Sequence, residues 1–177
     1  MKKIDNYKFI STSKGDKGTS TNYSNEVYSK SDILFELIGN IDELSSVLGI
    51  VYHYTNDKEE IKDIQTTLQH ISSLIATTDE NIRNNKLIQI DDLNLSKLEY
   101  KEQMLLEKSN IEPKFVLPGS DTSKVGAYYD FARSIARRAE RSLVKFVEVH
   151  KRNDLDYCIK YLNRLSDLLF IYSRSLA

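Results

Sequence analysis

The chain has few of the residues that break a helix or staple a fold. Its 177 residues include two prolines, six glycines, no tryptophan and a single cysteine, Cys158. One cysteine excludes an internal disulfide, and three histidines without HxxxH or CxxC spacing argue against a dedicated zinc site. Cys158 lies in an apolar helical pattern, where a small buried thiol is a more frequent role than a nucleophile. The scarcity of proline and glycine leaves room for long helices.

The chain also has no large excess of charge of either sign and no long apolar run. The chain has 25 Lys and Arg against 26 Asp and Glu, so no global basic field indicates nucleic-acid binding, and any anion site must be local. No apolar run approaches the ~20 residues that span a bilayer, and the N-terminus lacks the hydrophobic core of a secretory signal. We therefore expect one cytoplasmic domain over residues 1–177, with neither a nucleic-acid nor a membrane partner.

Apolar residues at spacings of three and four predict an all-α, five-helix bundle with little room for strands. The first helix should begin near Ser29 or Ser31. The second should run from about Asp57 to Asn81, where the pattern stops before Asn84-Asn85. Asp91 can cap the third helix, which should end before Pro113.

Two further helices complete the predicted bundle. The fourth carries the segment Phe131–Arg141, and either Asn153 or Asp154 can cap the last. Residues 29–177 should form the bundle, with short connections that favour antiparallel neighbours. Residues 1–28 should form a flexible arm.

The fourth helix has an arginine stripe, Arg133, Arg137 and Arg141, at positions i, i+4 and i+8. The same helix has an apolar face, so guanidinium groups lie close to a buried boundary, where they need an anionic partner. A planar, permanently charged guanidinium suits carboxylate or phosphate oxygens. The alternative is a solvated basic face held by Glu140 and Glu148.

The N-terminal arm contains the segment Ser11–Ser20, with two glycines, two lysines and several hydroxyl groups. Glycines let backbone N–H groups converge on an anion, Lys14 and Lys17 add positive charge, and Asp16 could hold the turn or ligate a cation. The segment lacks Walker A spacing, and an ordinary disordered polar arm is the alternative.

Polar residues also interrupt the apolar stripes of two other helices. Asn163 and Asp167 lie at i and i+4 on the last helix, with Arg164 beside them; they favour either a binding site or a simple tie between helices. On the first helix, Asp42 and Glu43 are either solvated or paired with an arginine of the basic helix or of another subunit.

Five motifs taken together resemble the PduO-type ATP:cob(I)alamin adenosyltransferases. They are KGDKGTS, IGNIDELSSVLG, FVLPG, ARSIARRAER and YLNRLSDLLF, and they follow the family's order over nearly the whole chain. The resemblance implies a five-helix bundle, of the ferritin-like kind, that assembles as a homotrimer with ATP and the corrinoid at each subunit interface.

It also implies the reaction. Members transfer the 5′-deoxyadenosyl group of ATP to the cobalt of cob(I)alamin, forming adenosylcobalamin and releasing triphosphate. ATP would arrive with Mg²⁺, with no dedicated protein ligands for the metal. A reductase would supply cob(I)alamin, and an adenosylcobalamin-dependent enzyme would receive the product.

The resemblance assigns the nucleotide site to three regions. The arm should fold over the triphosphate, and the RRAER motif and the last helix should contact ATP. The implied ATP-binding residues are Ser11, Thr12, Lys14, Gly15, Asp16, Lys17, Gly18, Thr19, Arg137, Arg138, Glu140, Arg141 and Asn163.

On the corrinoid side, the resemblance implies roles for Phe115 and Asp167. Phe115 would occupy the lower corrin face and favour loss of the lower axial base, although a core anchor before a turn is the alternative from its local sequence. Arg133 would pair across the subunit interface with Asp42. The residues implied in catalysis are Arg133, Arg137, Asp42, Phe115 and Asn163.

The chain departs from the family pattern in two places on this side. Asp130 stands where a histidine is common, and the link from FVLPG to the arginine helix is about two residues longer than usual. Tyr128 and Tyr129 could still line an aromatic wall. Two other functions remain open: a noncatalytic module that delivers or senses ATP or cobalamin, and a structural helical interaction protein.

Overall fold

The computed structural model, which describes residues 13, 15–111 and 115–176, confirms the predicted helical bundle. The described residues form five long helices, one short helix and a small hairpin that precedes the first helix. The elements are β1 (Thr19–Thr21), β2 (Val27–Ser29), α1 (Ile33–Tyr54), α2 (Lys58–Ile75), α3 (Glu80–Lys86), α4 (Asp92–Leu106), α5 (Lys124–His150) and α6 (Asp156–Ser175), with a 3₁₀ turn at Asn153–Leu155. The predictions for Ser11, Thr12 and Lys14 lie outside the described residues.

The core lies where α5 packs between α1 and α6, with α2 against α1 and α4 against α6. Helices α1, α2, α5 and α6 bury the apolar faces that their spacing predicts, because burial of that face is the main source of stability for an amphipathic helix. Helix α4 buries Leu98 fully and Leu95 and Leu105 only in part. Among the described helices, none is both long and apolar enough to cross a membrane. The largest fully buried side chains include Tyr129, Tyr172, Leu37, Leu44, Leu48, Ile64, Leu68, Ile71 and Ile135.

Two of the helix starts follow from side-chain caps. Asp32 is the N-cap of α1, and its carboxylate accepts a 2.9 Å bond from the Leu34 amide, so the helix begins at Ile33 and later than Ser29 or Ser31. Asp91 caps α4 as predicted and forms a capping box with Asn94. The end of α4 at Leu106 also fits the predicted stop before Pro113.

The prediction of a second helix reaching Asn81 was wrong. Helix α2 ends at Ile75, and Asp79 starts α3 by accepting a 2.9 Å bond from the Ile82 amide. Two buried arginines bind backbone carbonyls at the end of α2 and in the link to α3. Arg152 donates to the carbonyl of Leu74 at 2.9 Å, and Arg83 donates to that of Thr77 at 3.2 Å. These donors come from outside α2, so its own periodicity could not predict its end. Asn84 and Asn85, expected to break the pattern, lie inside α3.

The predicted cap of the last helix was also wrong. Asn153 and Asp154 lie in the 3₁₀ turn, and α6 begins at Asp156 without a side-chain cap. Asp154 instead accepts two 2.8 Å bonds from the buried guanidinium of Arg152. A charge-assisted pair with two bonds is stronger than one cap, so Asp154 is drawn away from the helix start.

Part of the arm expected to be flexible forms a structure of its own. Strands β1 and β2 pair antiparallel with Thr19 opposite Ser29. The hairpin is tied to the end of α2, since the Tyr23 amide donates to the Ala76 carbonyl at 2.9 Å and Thr78 donates to Glu26 at 2.8 Å. These contacts cross more than fifty residues, and a local reading of a polar segment does not detect them.

Candidate functional site

The arginine stripe lies on the solvent side of α5. Arg137 and Arg141 are exposed and Arg133 is half-buried, whereas Ile135 and Ala136 on the opposite side are almost fully buried. The 3.6-residue period therefore places the three guanidinium groups along one edge of the helix, as predicted.

Two adjoining recesses open along this edge, and Arg137 lines both. They have volumes of about 300 and 310 Å³. We call them the upper and lower recess. The lower recess is lined by Arg137, Glu140, Arg141, Val144 and Asn163. The upper recess is lined by Arg133, Arg137, Ser166, Asp167, Phe170 and Ile171.

The charge of the lower recess is not balanced within the described part of the chain. No carboxylate described there lies within ion-pair distance of Arg137 or Arg141. Arg141 donates only to the backbone carbonyl of Arg137, at 2.9 Å. The two arginines are solvent-exposed, as the alternative of a solvated face expected, but neither forms an ion pair with Glu140 or Glu148 in the described structure. Two guanidinium groups with free donors are suited to binding an anion such as a phosphate chain.

Asn163 faces this recess from α6. Its amide nitrogen donates to Glu140 at 2.9 Å, and its amide oxygen accepts from Arg164 at 3.2 Å. Arg164 is in turn paired with Glu99 of α4 at 3.0 Å. Asn163 thus ties α6 to α5, as one of the two sequence interpretations expected, and it also borders the recess that holds Arg137 and Arg141.

Arg138, the remaining arginine of the RRAER motif, has partners within this chain. Arg138 donates to the amide oxygen of Asn40 at 3.0 Å and pairs with Glu43, so it joins α5 to α1. Glu43 therefore pairs with the basic helix, as one interpretation proposed. Neither recess is lined by Arg138, and its contact with ATP stays a prediction.

Asp42 and Arg133 do not meet in the single chain. Arg133 donates to Asp130, one turn earlier on α5, at 2.7 Å. Asp42 is exposed and lines a groove of about 790 Å³ between α1 and α2. Residues of both helices line this groove: Phe35, Ile38, Gly39, Ile41, Asp42, Ser45, Lys62, Gln65, Thr66, Leu68, Gln69 and Ser72.

The loop before α5 presents an aromatic side chain to solvent. Phe115 is fully exposed, and Leu117 is 77% exposed. A core anchor would be buried, so that interpretation of Phe115 is wrong. An exposed phenylalanine beside a second exposed apolar side chain is a feature of ligand and partner surfaces.

Only one of the two tyrosines expected to line an aromatic wall is available. Tyr129 is fully buried; its ring stacks on Tyr172 at 4.5 Å and its hydroxyl donates to Thr55. Tyr128 is half-buried and stacks on the exposed Tyr54, with ring centroids 5.8 Å apart. Tyr128 and Tyr129 differ in burial because the helical period places consecutive side chains on different faces.

The described part of the phosphate arm forms a turn beside the hairpin. The Gly18 amide donates to the Gly15 carbonyl at 3.2 Å, and Asp16 and Lys17 are exposed. Lys30, at the end of β2, reaches this turn: a Cβ built on Gly15 would lie 2.5 Å from its ammonium nitrogen. Lys30 is a candidate phosphate contact that the sequence analysis missed, because the hairpin brings it to Gly15.

A half-buried acid lies behind the upper recess. Burial and, after it, the neighbouring carboxylate of Asp167 raise the pKa of Glu102 on α4 to about 7, against Arg164, which lowers it. One carboxylate oxygen of Glu102 is buried and has no hydrogen-bond partner among the described residues. Glu102 was not singled out from the sequence, where nothing marks which of the three α4 carboxylates turns inward.

Two other chemical possibilities are limited by the geometry. Cys158 is buried, and desolvation raises its pKa to about 12, so it is not a nucleophile at neutral pH. Within residues 15–111 and 115–176, no three His, Cys, Asp or Glu side chains are grouped so as to hold a metal ion.

These features define a class of protein: a helical bundle with an exposed arginine edge that is suited to an anion, and an exposed aromatic side chain on the loop before α5. The model of the cobalamin adenosyltransferase family matches residues 10–176. The chain therefore belongs to the cobalamin adenosyltransferase family.

Individual relatives agree with this assignment. The chain is 35% identical over 172 residues to the corrinoid adenosyltransferase of Homo sapiens, covering 93% of this chain and 67% of that protein. It is 32% identical to the corrinoid adenosyltransferase of Mycobacterium leprae, covering 93% and 89%. A solved structure of a variant PduO-type ATP:corrinoid adenosyltransferase from Lactobacillus reuteri, complexed with cobalamin and ATP, superposes with a TM-score of 0.82 at 26% identity, covering 94% and 92% of the two chains.

Proposed function

We propose that this protein transfers the 5′-deoxyadenosyl group of ATP to the cobalt of cob(I)alamin, forming adenosylcobalamin and triphosphate. The cobalt–carbon bond forms as the bond from C5′ to the triphosphate oxygen breaks, and the electron pair of that bond leaves with the triphosphate. The protein needs no nucleophile of its own, consistent with the buried, unreactive Cys158. Its tasks are to align C5′ with cobalt and to stabilise the charge of the leaving group.

The observation that carries this proposal is the position of Arg137, which lines both recesses and has no carboxylate partner among the described residues. In the lower recess, Arg137 and Arg141 would bind the triphosphate, beside Glu140 and Asn163. A guanidinium shared by two ligand sites can hold the leaving group next to the reacting carbon. Arg138 would act from behind by fixing α5 against α1.

The corrinoid would lie on the side of the upper recess. The exposed ring of Phe115 offers an apolar surface for the lower corrin face, and Asp167 borders the recess. An apolar group below cobalt excludes an axial ligand, which makes cobalt(II) easier to reduce before transfer.

The glycine turn would close over the triphosphate. Gly15, Asp16, Lys17 and Gly18 lead into β1 at Thr19, and Lys30, directly after β2, adds a cation there. We place Ser11, Thr12 and Lys14 in the same function. Mg²⁺ would arrive bound to the oxygens of ATP, without a dedicated set of protein ligands.

We also propose that the site is completed by a second copy in a homotrimer. Each recess has about 300 Å³, at the lower end of the range for small-ligand pockets, and ATP with a corrinoid needs a larger enclosure. The α1–α2 groove of a neighbouring copy carries the exposed Asp42, whose carboxylate could reach Arg133. Assembly would then be required for binding.

The remaining assignments concern the setting of the reaction. We propose a cytoplasmic location, in keeping with a single free thiol. A reductase would supply cob(I)alamin, and an adenosylcobalamin-dependent enzyme would take the product.

The test is anaerobic incubation of the purified protein with Mg-ATP and chemically generated cob(I)alamin. The corrinoid spectrum and the released triphosphate are measured together, and we expect them to appear in equal amounts. Binding of ATP by the folded protein without either product would instead favour the noncatalytic delivery or sensor role. Sedimentation of the same sample, with and without Asp42→Asn, tests the trimer.

A further inference from the structure

Asp130 is a buried carboxylate at the junction of three segments. It is 7% exposed. Its Oδ1 accepts a 2.7 Å bond from Arg133 Nε, and its Oδ2 accepts a 3.2 Å bond from the backbone amide of Gly119. The guanidinium of Arg174, near the end of α6, lies 4.0 Å from the same Oδ2.

The surrounding charges explain how this carboxylate can be buried. An unpaired buried carboxylate is strongly unfavourable, whereas one that is paired and hydrogen-bonded is tolerated. Arg174 is itself 8% exposed in its side chain, and it also donates to the Ser120 carbonyl at 3.2 Å. Asp130 and Arg174 therefore hold the middle of the loop, Asp130 through the Gly119 amide and Arg174 through the Ser120 carbonyl.

The loop from Phe115 to Ser123 depends on such anchors because it buries little of its own surface. Phe115 and Leu117 are exposed, and Gly119 adopts a φ of 74°, a conformation that side chains other than glycine disfavour. Two further bonds tie the end of the loop to α6: Thr122 donates to the Ser173 carbonyl at 2.6 Å, and the Ser123 amide donates to the Leu176 carbonyl at 3.0 Å.

The two oxygens of Asp130 serve different parts of the site. One orients Arg133, which lines the upper recess, and the other fixes Gly119 in the loop that carries Phe115. A histidine, the residue expected here from the family pattern, has a single acceptor nitrogen when neutral and could not bind both donors. The carboxylate thus makes a connection that the expected residue cannot make.

We propose that Asp130 is a positioning residue that couples the corrin-side loop to Arg133, with Arg174 as its buried counter-ion. This role rests on the proposed adenosyl transfer. In that reaction, Asp130 would set the distance between Phe115 and the arginine edge. Loss of the carboxylate would release the loop and leave Arg133 without its orienting partner.

The first test uses no ligand. Hydrogen exchange of residues 117–123 is compared between the wild-type protein and Asp130→Asn, and we expect exchange to become at least about tenfold faster in the variant, as expected for loss of a tie worth about 1.4 kcal/mol. The matched control is Asp154→Asn, which removes a carboxylate from another buried arginine, Arg152, at the opposite end of α5. That variant should lose stability without altering exchange at 117–123.

The second test separates positioning from a loss of stability. In Asp130→Asn, we expect the KM for the corrinoid to rise at least about fivefold while the KM for ATP changes less than twofold. Arg174→Gln should raise the KM for the corrinoid in the same selective way. In the double variant, that KM should be no higher than in the more strongly affected single variant, because both residues act through one network. If Asp130→Asn does not fold, Asp130→Glu, which keeps the charge and displaces the oxygens, should give a smaller shift in the same direction.

The outcomes are distinguishable. Unchanged exchange at 117–123, or equal rises in both KM values, would overturn the role of Asp130. Absence of product from the wild-type protein would count against the proposed function, while the exchange measurement would still decide whether Asp130 holds the loop.

Discussion

The two sides of the candidate site are built in different ways. The lower recess is formed by regular helices, with Arg137 and Arg141 from α5 facing Asn163 from α6. The loop from Phe115 to Ser123, which we propose to lie on the corrin side, has no regular structure. It is held by Asp130, Arg174 and Thr122 through contacts with α5 and α6.

This difference has consequences for how each side tolerates change. A helical face is maintained by the whole buried core beneath it, so one exposed arginine can be replaced without moving its neighbours. The loop is maintained by a few hydrogen bonds and a buried ion pair. A substitution of one of its buried anchors would therefore move the exposed residues of the loop. Substitution of an exposed arginine in the lower recess should therefore affect ATP binding and leaving-group stabilisation without moving the helices, whereas substitutions behind the loop should alter its geometry.

The largest expected effect is that of Arg137→Ala. Removing a guanidinium that contacts a triphosphate costs about 1.5–3 kcal/mol, which is a loss of about ten- to a hundredfold in productive ATP binding. Turnover at several ATP concentrations measures it, and circular dichroism should show unchanged helicity.

Lys97→Ala is the control for that experiment, because Lys97 is an exposed cation paired with Asp63 away from both recesses. It should leave turnover unaltered. If ATP affinity and turnover survive the loss of Arg137, the assignment of the lower recess to the triphosphate is wrong.

Phe115→Ala should affect the corrin side selectively. We expect at least about a tenfold loss when the reaction starts from cob(II)alamin with a reductant, and a smaller loss when it starts from preformed cob(I)alamin, because the ring acts on the reduction step. The two rates are compared under anaerobic conditions. Leu117→Ala, which removes the other exposed apolar side chain of the loop, is the matched control; equal losses by both routes would contradict the role of the ring.

Gly126→Ala should disturb the base of the loop through sterics. The Thr122 side chain packs so closely on Gly126 that a Cβ would overlap it, and the Ser173 carbonyl would lie 3.1 Å away. Overpacking of this kind costs about 1–3 kcal/mol of unfolding free energy, which denaturant titration measures. Gly49→Ala, where the nearest atom to a new Cβ is 3.7 Å away, should not destabilise the protein.

The smallest effect concerns Glu102 and pH. Burial, aided by Asp167, raises its pKa from 4.5 to about 7 in the folded state, so the folded protein binds more protons than the unfolded chain between these values. Its contribution to stability is present below pH 4.5 and is lost as the pH rises through about 7.

Glu102→Gln removes this proton linkage. The variant should gain in Tm over the wild-type protein near pH 8, and the gain should shrink toward pH 4.5. Glu107→Gln, a change at an exposed residue directly after α4, should show no such trend. A Tm difference that is constant with pH would mean that Glu102 does not titrate in this way.

Much of the helical side of the molecule could be predicted from its residues. The period of the apolar side chains placed the long helices, and the spacing of Arg133, Arg137 and Arg141 placed them on one edge, because both depend on local helix geometry. The end of α2 could not be predicted, since Arg152 and Arg83 reach its carbonyls from distant segments. Lys30 and Glu102 were missed for the same reason: the fold brings each to its place.

The sequence by itself determined the class of fold, the arginine edge and the family resemblance, because helix periodicity and short motifs are properties of neighbouring residues. Only the tertiary structure decided which arginines are free and which are paired, that Phe115 is exposed and not a core anchor, and that Asp130 joins the loop to α5. Burial and charge pairing depend on what lies across the interior, and that is set by how the helices pack.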